Sequence, residues 1–195
     1  MSSKKLPSTL KNMILSLLFI SLGMSAALAY VFSLTKGPIE KSQKEKEIQA
    51  IKEVLPPFDN DPTQQKTEIN GLVLYKATKS DSLVGYACKT FTNKGFSGYF
   101  SIMVGFLPDG TIMNTSVLDQ KETPGLGDKM KTKWKDQFSM KNPEKYKLAV
   151  KKDGGDVDAI TASTITSRAY CDAIIKAYEI CPKVSGSEDS GKSNQ

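Results

Sequence analysis

No residue between Lys11 and Lys36 carries a charge. The centre of that stretch, Met13 to Leu34, is a run of leucine, isoleucine, phenylalanine, methionine, alanine and small residues. About 22 residues at 1.5 Å rise make a helix of roughly 33 Å, the thickness of a bilayer's hydrocarbon core. Ala27-Leu28-Ala29 resembles a signal-peptidase site. The apolar run continues past it through Tyr30-Val31-Phe32, longer than the hydrophobic region of a cleaved signal, so we read 13–34 as a retained transmembrane anchor. No cysteine stands at its end, which excludes a lipoprotein signal. Lys4, Lys5 and Lys11 favour a cytoplasmic N-terminus over residues 1–12, against the opposing lysines 36, 41, 44 and 46. The remaining chain then faces outward.

Beyond the anchor, Gly37-Pro38 reads as a helix break. Ile39 to Leu55 reads as a charged helix with Ile48, Ile51, Val54 and Leu55 on one face, stopped by Pro56-Pro57; residues 35–57 are thus a connecting segment. Its Lys/Glu runs suit a solvated face with i,i+4 pairs. Phe58 to Asn70 is polar and proline-punctuated, a loop. Four strand-like runs follow, at 72–78, 83–91, 99–106 and 111–118, with Pro108-Asp109-Gly110 as the turn of a hairpin between the last two. Short turns between sequential strands predict an antiparallel sheet.

Glu122-Thr123-Pro124-Gly125-Leu126-Gly127-Asp128 is a constrained loop whose glycines let the backbone approach a ligand closely. Asp128 is placed to cap a helix over Lys129 to Phe138, which holds the only tryptophan, Trp134. Tyr146 to Val150 reads as a further strand and Gly154-Gly155 as a turn. In the last helix Ile165, Ala169, Ala173, Ala177 and Cys181 form one stripe, with Ile174 and Tyr178 beside it; Pro182 is its expected end. The globular domain is therefore expected over 58–182, and 183–195, Ser/Gly-rich and charged, reads as a disordered tail.

The start of that helix, Asp158-Ala159-Ile160-Thr161-Ala162-Ser163-Thr164-Ile165-Thr166-Ser167, gathers small and hydroxyl residues. Free backbone N–H groups and the positive end of the dipole favour a phosphate at such a place. The same residues also make an ordinary Ser/Thr cap, and the local pattern leaves both readings open.

Several chemistries are excluded. The chain has no histidine, which removes Ser-His and Cys-His catalysis and His-ligated zinc or haem. Cys88, Cys171 and Cys181 have no CxxC spacing, and the last two lie roughly 15 Å apart on one helix, too far to bridge. They read as packed free thiols, with Cys88 paired to one of the other two as the alternative. The net charge of +6 is spread over many lysines, and with no basic-aromatic array, finger or recognition helix, nucleic acid is not the partner. Neither GxGxxG nor GxxxxGK[ST] is present.

The two loops together resemble a known family. Asp158 to Ser167 resembles the flavinylation motif Asp-x-x-Ser/Thr-Gly/Ala-Ala/Ser-Thr-x-Thr/Ser of FMN-binding membrane subunits, and Glu122 to Gly127 resembles the second signature of the same domain. The anchor, the domain length and the motif order are similar to the G subunits of Rnf electron-transport complexes, with the C subunits of sodium-translocating NADH:quinone reductases as near relatives. The resemblance runs from the anchor to about Cys181. It implies an α+β fold: a single N-terminal transmembrane helix, then an FMN-binding domain with a mainly antiparallel sheet flanked by helices. It implies FMN joined through its phosphate to Thr164 by a separate flavin transferase using FAD, with Thr161, Ala162, Ser163 and Thr166 around the phosphate and Glu122, Thr123, Gly125, Leu126 and Gly127 against the flavin. It implies a redox subunit, not catalytic alone, in an ion-translocating ferredoxin:NAD oxidoreductase of the inner membrane, with membrane and iron-sulfur subunits as partners, lipid around the anchor and the domain on the periplasmic side. A quinone reductase, another extracytoplasmic reductase and an anchored, non-enzymatic binding module are the alternative settings. Two departures stand out: the usual Gly-Ala is Ala162-Ser163, and Gln120-Lys121 replaces the His that often precedes the second signature.

Overall fold

A computed structural model describes residues 9–187. The chain divides into two compact units, Met1–Glu45 and Lys46–Gln195. Helix α1, Leu10–Val54, begins in the first. Its apolar stretch is long enough to cross a membrane, and its leucine, isoleucine and phenylalanine side chains are exposed throughout, from Leu15 and Phe19 to Phe32 and Leu34. The helix does not stop at Gly37-Pro38. Pro38 lacks the N–H that would reach back to the preceding turn and its ring crowds the carbonyl there, yet α1 continues through it. The expected separate connecting helix is the C-terminal part of this same helix. Residues 1–8 and 188–195, which include parts of the expected N-terminal segment and tail, lie outside the described residues.

In the second unit five strands run in the order β1-β2-β3-β4-β5, every neighbouring pair antiparallel: β1 Lys66–Ile69, β2 Leu72–Lys79, β3 Ser82–Gly95, β4 Gly98–Phe106 and β5 Ile112–Gln120. The four expected strands are present, and the β4–β5 turn closes as expected, with Gly110 in the left-handed region at φ 81°. β1 is an addition. It is a short, largely exposed edge without an apolar face, so nothing in its composition separates it from a loop.

Strand alternation gives the sheet two working faces. Leu74, Cys88 and Val104 pair across one face and pack under α2, Thr164–Ser187. On the other, Tyr75, Ala87 and Met103 pack against Ala50, Ile51 and Val54 at the end of α1. Ile48, expected on that buried face, is 40% exposed. Two carboxylates pin this end of α1: Glu47 accepts from Lys89 and from the Tyr75 hydroxyl, and Glu53 accepts from Ser116 Oγ at 2.7 Å and Lys135 Nζ at 3.0 Å. Burial alone would raise the Glu53 pKa, but the Ser116 and Lys135 hydrogen bonds and the Lys135 charge outweigh it and hold the carboxyl below its usual range.

Close approach of α1 depends on Gly105, where a Cβ would overlap the Val54 carbonyl oxygen. Gly105→Ala must push backbone from backbone. It is expected to lower stability by about 2–3 kcal/mol in a detergent-solubilised thermal or denaturant melt, the scale of overpacking a tight contact.

From β5 to the end of α2, three elements differ from the sequence expectation. The expected helix over 129–138 is two 3-10 turns, Gly127–Lys131 and Lys133–Phe138, and Asp128 caps neither; it lies inside the first. Tyr146 to Val150 forms no strand, only a single bridge from Val150 to Val157. Helix α2 starts at Thr164 as expected but runs on past Pro182 to Ser187. Ala169, Ala173, Ala177, Ile174 and Cys181 are buried, whereas Ile165, in the first turn and ahead of the sheet contact, is 49% exposed. All three cysteines are free and buried, and burial pushes the Cys171 and Cys181 thiols up to about 12.

Candidate functional site

The hydroxyl cluster does become a helix start. The Ser163 amide donates to the Ile160 carbonyl at 2.9 Å, and the Ser163 carbonyl accepts the first helical bond, from the Ser167 amide, at 3.1 Å. Ser163 is thus the cap position and Thr164 the first helical residue. Ser167 seals the turn from inside: its Oγ donates to the Ser163 carbonyl at 3.0 Å and accepts from the Ile160 amide at 2.9 Å. The amides of Thr164, Ile165 and Thr166 precede the first intrahelical donor, the Ser167 amide, and point out of the helix end.

Exposure sorts the hydroxyls. Ser163, Thr166 and Ser167 are buried, Thr161 and Ala162 exposed or nearly so, and Thr164 half-buried at the rim. Ala162 has φ 63°, in the left-handed region. A Cβ there costs about 1 kcal/mol, which is the physical content of the glycine that usually stands at this motif position. Ala162→Gly is therefore expected to raise the melting midpoint, by about 1 kcal/mol of stability at most.

Glu122 ties the second loop to this helix. Glu122 is buried; one carboxylate oxygen accepts from Thr166 Oγ1 at 3.1 Å and the other from the Ser97 amide at 3.2 Å. Gly95 and Gly127 leave the space it fills, since a Cβ at either would come within 2.7 or 2.5 Å of its oxygens. Glu122 and Thr166, both expected around the cofactor, have side chains engaged with each other. Thr123, Gly125 and Leu126 project as an exposed tip, Gly125 at φ 77°, while Gly127 is buried at the base. The two motifs are thus joined by the Glu122–Thr166 hydrogen bond, while the loop tip is exposed and Thr164 half-buried.

Sequence reasoning missed a third component. The turn Lys133–Phe138 holds Asp158, where the hydroxyl segment begins. Trp134 Nε1 donates to the Asp158 carbonyl at 2.6 Å, Gln137 Nε2 to the same oxygen at 3.3 Å, and the Asp158 amide donates to Gln137 Oε1 at 2.7 Å. Trp134 in turn packs edge-on against Phe138 and the buried Tyr170. The Asp158 carboxylate is exposed and pairs with Lys151 at 2.7 Å. Further along α2, Arg168 makes a two-pronged pair with Asp153, at 2.7 and 2.8 Å, and those hydrogen bonds hold the Asp153 carboxyl below its ordinary range. Trp134 stands out in the sequence as the lone tryptophan; no spacing signal marks Gln137.

Residues 95–179 match the family model of the FMN-binding domain. The class of protein is therefore a flavin-binding domain carried behind a long apolar helix. Over 178 residues the chain is 34% identical to the G subunit of the ion-translocating oxidoreductase complex of Cronobacter sakazakii, covering 81% of this chain and 86% of that protein. It is 31% identical to the G subunit of the Na(+)-translocating ferredoxin:NAD(+) oxidoreductase complex of Acetobacterium woodii, covering 88% and 91%. Among solved structures it is similar to NqrC of Shewanella oneidensis, at 23% identity and TM-score 0.42, covering 66% of this chain and 63% of that one. The chain belongs to the family of G subunits of ion-translocating oxidoreductase complexes.

Proposed function

We propose that this chain is the membrane-anchored electron carrier of such a complex, relaying electrons through an FMN joined by a phosphoester to Thr164. The observation that carries the reading is the position of Thr164. It is the first residue of α2, half-buried, next to three outward amides, while the neighbouring Thr166 and Ser167 hydroxyls are engaged within the fold. The residues fit a phosphate: the amides and helix dipole favour one negative charge by about 0.3–1 kcal/mol, more when partly buried. Ala162 and Ser163 are small enough to let it reach them. FMN supplies reversible electron uptake and release when bound; the protein orients it and sets its surroundings. Leu126, 39% exposed, offers an apolar surface to the flavin ring from the 122–127 loop.

Attachment requires a separate flavin transferase. Thr164 Oγ1 forms a bond to the flavin-side phosphorus of FAD, the pyrophosphate P–O bond breaks, AMP leaves, and the hydroxyl proton passes to the transferase. A covalent link suits a carrier on the outer, periplasmic face of the membrane, where a dissociated flavin would be lost. The short N-terminus, with Lys4, Lys5 and Lys11, then lies in the cytoplasm. Membrane and iron-sulfur subunits of the complex supply and accept the electrons, ferredoxin and NAD being the couple named for the Acetobacterium woodii relative. The test is the chain co-expressed with a flavin transferase and run on a denaturing gel: flavin fluorescence that stays with the unfolded band supports the reading, and a colourless band of unmodified mass overturns it.

A further inference from the structure

We propose that Gln137 and Trp134 are positioning residues that preset the backbone leading into Thr164 for the flavin transferase. The inference rests on the Thr164 attachment reading. It goes beyond it by assigning a role to a turn more than twenty residues upstream of that segment.

The geometry is that of a side chain standing in for a strand. The Gln137 carboxamide offers an oxygen to the Asp158 amide and an N–H to the Asp158 carbonyl, so one residue meets both hydrogen-bonding groups of one peptide position. Trp134 Nε1 adds the shortest bond of the three, 2.6 Å, to the same carbonyl. The turn that carries them is itself fixed. Phe138 is fully buried and stacks on Tyr170, and Lys135 Nζ donates to the Thr115 carbonyl at 2.7 Å and to Glu53 at 3.0 Å. The segment from Asp158 to Thr164 is therefore held at both ends, by Gln137 and Trp134 at Asp158 and by Ser167 at Ile160 and Ser163, while Thr161 and Ala162 between are exposed. The Asp158 side chain contributes little to this, being exposed and paired with surface Lys151. A transferase that must thread Thr164 Oγ1 onto a phosphorus needs this segment in one shape. If the Asp158 end is released, only a fraction of molecules carries that shape, and apparent affinity for the acceptor falls in proportion to that fraction, while turnover of the bound complex is unchanged.

The experiment uses the full chain in detergent with purified flavin transferase and FAD, following modification of Thr164 by intact mass and peptide mapping. Gln137→Ala is expected to raise KM for the acceptor chain about tenfold, as both hydrogen bonds from Gln137 to Asp158 are lost together, with kcat within about twofold. Trp134→Phe, which keeps the ring against Phe138 and Tyr170 but loses the N–H, is expected to shift KM in the same direction. Amide hydrogen exchange in the unmodified variants should quicken over 158–163 and stay unchanged in β2 to β4. Wild-type KM and kcat in both variants, with wild-type chain normally modified, would overturn the clamp alone. A fall in kcat at constant KM would overturn it too. Wild-type chain left unmodified at Thr164 would instead overturn the attachment reading, and this inference with it.

Discussion

Thr164→Ala leaves the chain without covalent flavin after co-expression with a flavin transferase: in-gel fluorescence falls to background and the mass returns to that of the bare polypeptide. The effect is all-or-none because the neighbouring hydroxyls cannot take over. Thr166 is fully buried against Glu122, Ser167 is bonded inside the turn, and Ser163 is buried at the cap. Thr161 is exposed but precedes the left-handed Ala162, away from the helix amides. Folding should scarcely change, because Thr164 is half-buried at a helix start; a melt within about 1 kcal/mol of wild type separates loss of the attachment point from loss of the domain. Thr164→Ser keeps the hydroxyl on the same backbone and is expected to retain loading.

Glu122→Leu has the second largest effect, and it acts through structure. It strips the acceptor from the buried Thr166 hydroxyl and from the Ser97 amide and leaves apolar carbons against both. Leaving the buried Thr166 hydroxyl unpaired is expected to cost about 1–3 kcal/mol, read as a lower melting midpoint, and the loop and α2 lose their common fixing point. Glu122→Gln presents an oxygen to the Ser97 amide and an amide to Thr166 Oγ1 in nearly the same volume. It should recover most of the stability and the loading. Failure of Gln to rescue would mean that the negative charge at 122, and not the hydrogen bonding, is what the site uses.

These two residues also show how far the sequence reaches. The anchor, strands β2 to β5 and the start of α2 are legible because each rests on local rules: an uncharged run of bilayer length, period-two alternation, a hydroxyl-rich cap before a 3.6-period stripe. Both site motifs are legible as short spacings. Their junction is not, because Glu122 and Thr166 are 44 residues apart and nothing local announces that they meet. β1 is hidden by its polar edge composition, and the helix expected at 129–138 is broken into two 3-10 turns at Thr132, whose extended backbone no local spacing announces. Pro38 and Pro182 mislead for the same reason: a proline removes one backbone hydrogen bond, and a helix of 45 or 24 residues continues past that loss. Gln137 is invisible in sequence because its role depends wholly on where Asp158 lands.

Everything proposed for the site turns on the chemical identity of one residue, and one measurement reads it directly. The full chain, matured with a flavin transferase, is digested with trypsin, and the peptide from Asp153 to Arg168 is fragmented in a mass spectrometer. The predicted result is a mass increment of one FMN less one water, localised to Thr164 and lost in Thr164→Ala. The increment on Thr161, Ser163 or Thr166, or an unmodified peptide from chain that has met an active transferase and FAD, would contradict it.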